Sequence, residues 1–177
     1  MSPGTKEIYL QVGAGTYSGG YYDQGGVPGT NTAINLVSAS LTAAQVGSHG
    51  SVAMTSNSSV ADSFYDGYAV CNPPNQVYIG AWSRNAAGAA TLTVTTPANL
   101  TSGSSTIPFS QISWTSGANG DSTADIAAGS FNGSSLTLAS IANDTWVEDC
   151  MTFAYANSAV AAAGVFTGEA VYTLSQP

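Results

Sequence analysis

Residues 90–96 alternate, with Thr91, Thr93 and Thr95 on one side and Leu92 and Val94 on the other. A two-residue period puts successive side chains on opposite faces, so this stretch predicts a strand with one buried face. Ile8, Leu10 and Val12 alternate in the same way with Tyr9 and Gln11. Further strand-like runs lie at 33–41 (through Ile34, Leu36, then Val37, and Leu41), 52–55, 64–71, 77–82, 111–115, 135–141, 145–155 and 168–174, about ten strands in all. Gly, Pro, Asn and Ser separate them, as turns require. Residues 16–28 read as a Gly/Tyr-rich loop or hairpin. Asn72-Pro73-Pro74-Asn75 is a connection, because two prolines cannot donate to a ladder. Only 154–163 offers a helical alternative; it is Ala-rich but lacks the charged face of a surface helix, so at most a short helical turn is expected. Short strands without a long helical period predict a single all-β domain over 1–177. The architecture expected is an antiparallel immunoglobulin-like or jelly-roll β-sandwich, with 1–5 as a disordered or added N-terminus.

Charge narrows the partners. Charged residues make up 7% of the chain, against roughly 25% in ordinary soluble domains. Lys6 and Arg84 are the two basic residues, and ten acidic ones leave a net charge of −8. Two cations cannot neutralise a phosphate backbone, so nucleic acid is excluded, and anionic membrane surfaces are disfavoured for the same reason. No apolar run reaches the roughly 18 residues of a membrane-spanning helix, so no membrane insertion is expected. Ser, Thr, Asn, Gln and Gly supply the polarity, as in extracellular β-proteins. Met1-Ser2-Pro3-Gly4 has neither a basic nor an apolar leader region, and reads as an expression start replacing a removed signal peptide; a cytosolic or virion protein is the alternative. Cys71 and Cys150 are either two buried thiols or one disulfide, and a secreted protein favours the disulfide.

One local pattern occurs three times. Ala14-Gly15-Thr16-Tyr17-Ser18-Gly19, Ala128-Gly129-Ser130-Phe131-Asn132-Gly133 and Ala163-Gly164-Val165-Phe166-Thr167-Gly168 share the form A-G-x-aromatic-x-G. The expected geometry is a turn at the first Gly, an aromatic plug at the sandwich edge and a bend at the second Gly. The last copy continues as Glu169-Ala170-Val171-Tyr172-Thr173-Leu174. It resembles the closing strand of immunoglobulin-like bacterial surface proteins, including spore-coat-U-like subunits of archaic chaperone–usher pili. The whole chain is also similar to uncharacterised small secreted bacterial β-sandwich proteins, through Ser63-Phe64-Tyr65-Asp66-Gly67-Tyr68, Ile112-Ser113-Trp114-Thr115 and the region of Trp146, Cys150 and Tyr155-Ala156-Asn157. The resemblance implies a secreted β-fold and a pilin-like role. One departure stands out: such pilins carry an early cysteine, and here the first is Cys71.

Catalytic chemistry finds little support. His49, the single histidine, lies between glycine-bearing turns and lacks a G-x-S-x-G elbow. The ten carboxylates show no spacing that selects an acid/base pair. Two cysteines and one histidine do not make a structural zinc site, and no cofactor is expected. Asn119, Asp121 and Asp125 form a calcium candidate, although the loop lacks the full D-x-[DN]-x-[DN]-G pattern; a hydrogen-bonded turn is the default. The N-x-[ST] sequons at Asn57, Asn99, Asn132 and Asn143 arise readily in a Ser/Thr-rich chain, and Lys6 has no Asn in the last strand for an isopeptide bond. The aromatic residues say more. Tyr17, Tyr21 and Tyr22 in a Gly-rich loop, and Tyr65 and Tyr68 around Asp66, are the materials of a sugar-binding surface. Trp82, Trp114 and Trp146 read as core.

These observations predict a non-enzymatic extracellular structural or adhesive module. Its leading form is a pilus-like filament subunit that self-associates by β-strand exchange, with Ile8, Leu10 and Val12 on the donor strand. The alternative is a lectin-like module that binds a glycan through the exposed tyrosines.

Overall fold

The computed structural model describes residues 5–118 and 122–177. Its strands, in chain order, are β1 (Glu7–Val12), β2 (Tyr17–Ser18), β3 (Val27–Pro28), β4 (Val37–Ser38), β5 (Val52–Ala53), β6 (Thr55–Ser56), β7 (Val77–Arg84) and β8 (Ala90–Thr95). They continue as β9 (Asn99–Ser102), β10 (Ser105–Pro108), β11 (Ile112–Gly117), β12 (Gly129–Ser130), β13 (Ser135–Ile141), β14 (Thr145–Tyr155) and β15 (Val171–Ser175). Two 3₁₀ turns, Tyr22–Gln24 and Phe109–Gln111, are the described helical elements. The fold is all-β and every pairing is antiparallel.

Two sheets face each other. The larger has the order β1-β7-β14-β11-β12, with β5 also on β14; the smaller is β13-β8-β15. Alternation decides what lies between them. Leu92 and Val94 of β8, Ile141 of β13 and Leu174 of β15 meet Ile79 and Ala81 of β7 and Val147 and Met151 of β14 in one buried cluster. The threonines of β8 stay on the outer side, as their period requires. The motif aromatic Phe131 is buried there too, edge-on to Phe109 at 5.1 Å and 4.9 Å from Trp114. Phe166 of the last copy packs on the same core, whereas Tyr17 of the first lies on the opposite face of the large sheet. The Trp114 indole N–H donates to the Ala127 carbonyl at 3.0 Å. Asp149 is fully buried on the core side, and its Oδ2 accepts the Ile126 amide at 2.6 Å.

The cysteines form one disulfide, Cys71–Cys150, with Cα atoms 5.5 Å apart. It pins the loop 57–72 to the middle of β14. No described helix is long and apolar enough to cross a membrane.

Several local expectations change. Residues 64–71 are a turn rather than a strand. Gly67 is left-handed, its N–H returns to the Ser63 carbonyl, and Asp66 Oδ1 accepts the Tyr68 amide. Within 33–41 only β4 is strand, and the expected inward phase holds from Val37 onward but not before it. Val37, Ala39 and Leu41 pack on the core while Ile34 and Leu36 are exposed. Residues 154–163 hold no helix, since Ala154 and Tyr155 complete β14. The last strand begins at Val171 rather than at 168. The β9–β10 hairpin, turning through left-handed Gly103, adds a pair the alternation did not reveal.

Candidate functional site: an aromatic cleft

Strand register builds the site. β7 pairs β14 so that Trp82 faces Trp146, Gly80 faces Glu148 and Tyr78 faces Cys150. β1 adds Tyr9 opposite Trp82 and Gln11 opposite Gly80. These residues share the sheet face that looks away from the sandwich core. Seven of the eight residues of β7 are buried, so this second face is covered as well. Two loops cover it. The Tyr22 amide donates to the Phe64 carbonyl at 3.1 Å and the Asp23 amide to the Tyr65 carbonyl at 2.9 Å, tying the first loop to the disulfide-bound second one. Gly67 makes the junction possible: a Cβ there would stand 2.3 Å from the Tyr21 ring.

Beneath the loops lies a polar hub. Glu148 Oε2 accepts the Ser63 hydroxyl at 2.7 Å, the Tyr78 hydroxyl at 2.7 Å and the Trp146 indole N–H at 3.2 Å. Gly80 leaves the space for this; a Cβ on it would sit 2.5 Å from the Tyr78 hydroxyl. The Tyr9 hydroxyl donates to Gln11 Oε1, and the Gln11 amide donates to the Gly13 carbonyl at 2.6 Å. Burial pushes the Tyr9 and Tyr78 phenols well above the ordinary tyrosine range, and the Glu148 carboxylate adds to the shift of Tyr78. Tyr17, beside Tyr9, is pushed up to about 12, chiefly by burial.

A pH dependence follows. Below about pH 10 these phenols are protonated in both folded and unfolded chains, so their contribution is complete. Above it the unfolded chain ionises while the folded chain keeps its protons, and stability falls. Tyr9 and Tyr78, both under a tenth exposed, are expected to lose about 1.4 kcal/mol each per pH unit. Urea midpoints at pH 9 and pH 11 measure the drop, and Tyr78→Phe should remove its own share and leave that of Tyr9. An unchanged midpoint would show that the phenols ionise as freely in the folded protein.

Above the hub the rings open into a cleft of about 350 Å³ lined by Tyr22, Tyr65, Trp82, Arg84, Asp144 and Trp146. Tyr22 lies 5.1 Å from Trp82 and 5.5 Å from Trp146, ring centre to ring centre. Tyr65 lies 5.4 Å from Trp146, which also stacks on Tyr9 at 5.5 Å. Arg84 Nε and Asp144 Oδ1 stand 4.0 Å apart at the rim, with both side chains more than half exposed. Tyr65 is 40% exposed, so the cleft is open to solvent.

The structure divides the tyrosines named from sequence. Tyr22 and Tyr65 line the cleft. Tyr17 sits deeper, 4.8 Å from Phe64, and Tyr21 packs over Gly67. Tyr68 is 74% exposed and outside the cleft, and Asp66 caps its own turn. His49 is exposed in a loop. Asn119 and Asp121 of the calcium candidate lie outside the described residues, and Asp125 is exposed. Among the described residues no three His, Cys, Asp or Glu side chains gather as a metal site. Trp114 and Trp82 are buried as expected, but Trp82 also walls the cleft, and Trp146 is only half-buried. Trp82, Arg84, Asp144 and Trp146 were missed as site residues. Part of the signal was available: Trp82-Ser83-Arg84 puts an indole and a charge on one face of a strand, whereas Asp144 is a left-handed turn residue just before β14 and only the fold brings it to Trp146. No protein-family model, curated protein or solved structure matches the chain.

Proposed function

We propose that this chain is a secreted, non-enzymatic adhesive module that binds carbohydrate in the aromatic cleft. The observation that carries this reading is the convergence of Tyr22, Tyr65, Trp82 and Trp146 with an exposed Arg84–Asp144 pair around one open cleft. Aromatic faces carry negative charge density and attract the C–H edges of a sugar ring, while the charged rim takes hydroxyls. Asp144 is the one carboxylate among the lining residues, whereas glycoside hydrolysis uses a pair. The disulfide supports an oxidising, extracellular setting.

A glycan array read at millimolar ligand tests the proposal. Tyr65→Ala should weaken whatever glycan binds by about tenfold, because a stacked ring contributes about 0.5–1.5 kcal/mol beyond its buried area. Its far-ultraviolet circular dichroism should not change, since Tyr65 stands at the surface. An array without specific binding would remove the reading.

A second reading, a filament subunit joined by strand exchange, draws on the position of β1. It is an edge strand that among the described residues pairs with β7 alone, with Ile8 50% exposed.

A further inference from the structure

We infer that the cleft selects a neutral pyranose and holds two adjacent hydroxyls between Arg84 and Asp144; this rests on the carbohydrate reading above. The two side chains are paired in charge but not in hydrogen bonding. Their 4.0 Å separation exceeds the roughly 2.7–2.9 Å of a charge-assisted bond. Among the described residues no hydrogen bond engages the guanidinium, whose five N–H donors stay open to a ligand. Asp144 Oδ2 accepts the Asn143 side-chain amide at 3.0 Å, and Oδ1 faces the guanidinium. A donor fork thus stands beside a free acceptor. Neighbouring sugar hydroxyls fit that arrangement, one accepting from Arg84 and the next donating to Asp144.

Both groups are held by the scaffold. Arg84 ends β7, and its carbonyl accepts the Gln176 side-chain amide at 2.7 Å. The Asp144 amide donates to the Ser83 carbonyl at 2.8 Å. An acidic sugar fits worse. It would have to draw Arg84 from Asp144 in a chain of net charge −8, with Glu148 bonded to the Trp146 ring of the same cleft. Glu7 also stands opposite Arg84 across the β1–β7 ladder. The cleft volume lies at the low end of the roughly 300–1,000 Å³ typical of ligand sites, so one ring enters and the rest of a glycan leaves through the open mouth.

Titration calorimetry on the full chain tests this with the methyl glycosides of glucose, galactose and mannose, and with methyl glucuronide. At least one neutral glycoside should bind, and methyl glucuronide should bind at least tenfold more weakly than methyl glucoside. Arg84→Ala and Asp144→Ala should each weaken the neutral ligand about ten- to a hundredfold, the usual range for a hydrogen bond to a charged group. The melting temperature of Arg84→Ala should stay unchanged, because the side chain is exposed; Asp144→Ala should melt slightly lower, because Asp144 is left-handed (φ 56°) and alanine resists that backbone. Equal or tighter binding of the glucuronide overturns the inference. So does unchanged neutral affinity in Arg84→Ala while Tyr65→Ala still loses it; in either case the carbohydrate reading survives. If no glycoside binds, neutral or acidic, both fall together.

Discussion

Deleting residues 1–12 is expected to unfold the protein. All six residues of β1 are in register with β7, from Glu7 opposite Arg84 to Val12 opposite Ile79. The strand feeds both faces of the sheet. Leu10 and Val12 pack on the sandwich core, while Tyr9 stacks on Trp146 and Gln11 is 3% exposed. Losing a buried aromatic alone costs about 3–5 kcal/mol. The ladder and the edge of β7 go with it. Against a total stability of about 5–15 kcal/mol the remainder does not hold. Near-ultraviolet circular dichroism of the truncated chain should therefore lose its aromatic signal. This also separates the two functional readings. A truncated chain that stays a folded monomer, while the full chain forms fibres, would favour strand exchange and set the home pairing of β1 aside.

Breaking the disulfide should cost about 4–5 kcal/mol. Cys71 and Cys150 lie 79 positions apart, and in the chain-entropy account a loop of that length constrains the unfolded chain by this amount. The double variant Cys71→Ala/Cys150→Ala should fall in urea midpoint accordingly. On the proposed carbohydrate reading, affinity should fall as well, because the bridge anchors the loop that carries Phe64 and Tyr65 into the aromatic layer. A midpoint equal to that of the parent would mean that the bridge does not limit the unfolded ensemble.

Legibility in the sequence tracked how locally each feature is encoded. β8 could be read residue by residue, because one face meets the core and the other meets water. β7 was recognisable as a strand, yet its lack of alternation hid what covered its second face. The cover consists of loops, and loops depend on single turn residues. Asp66-Gly67 broke an apparent strand between Tyr65 and Tyr68, and the run at 33–41 turned Val37 inward instead of Leu36. The cleft was half legible. Tyr22 and Tyr65 were named from local composition, but joining them to Trp82 and Trp146 needed the β7–β14 register.

The Lys6 ammonium donates to the Pro177 carbonyl, and Gln176 reaches back to the carbonyls of Glu7 and Arg84. The two ends of the described chain thus adjoin along one edge, where β15 runs close to β1. The connectivity is nearly circular. A chain bridged from 177 to 6 and opened instead at an exposed turn such as the one at Gly103 is therefore expected to keep the same strand packing, which would separate connection order from packing in this sandwich.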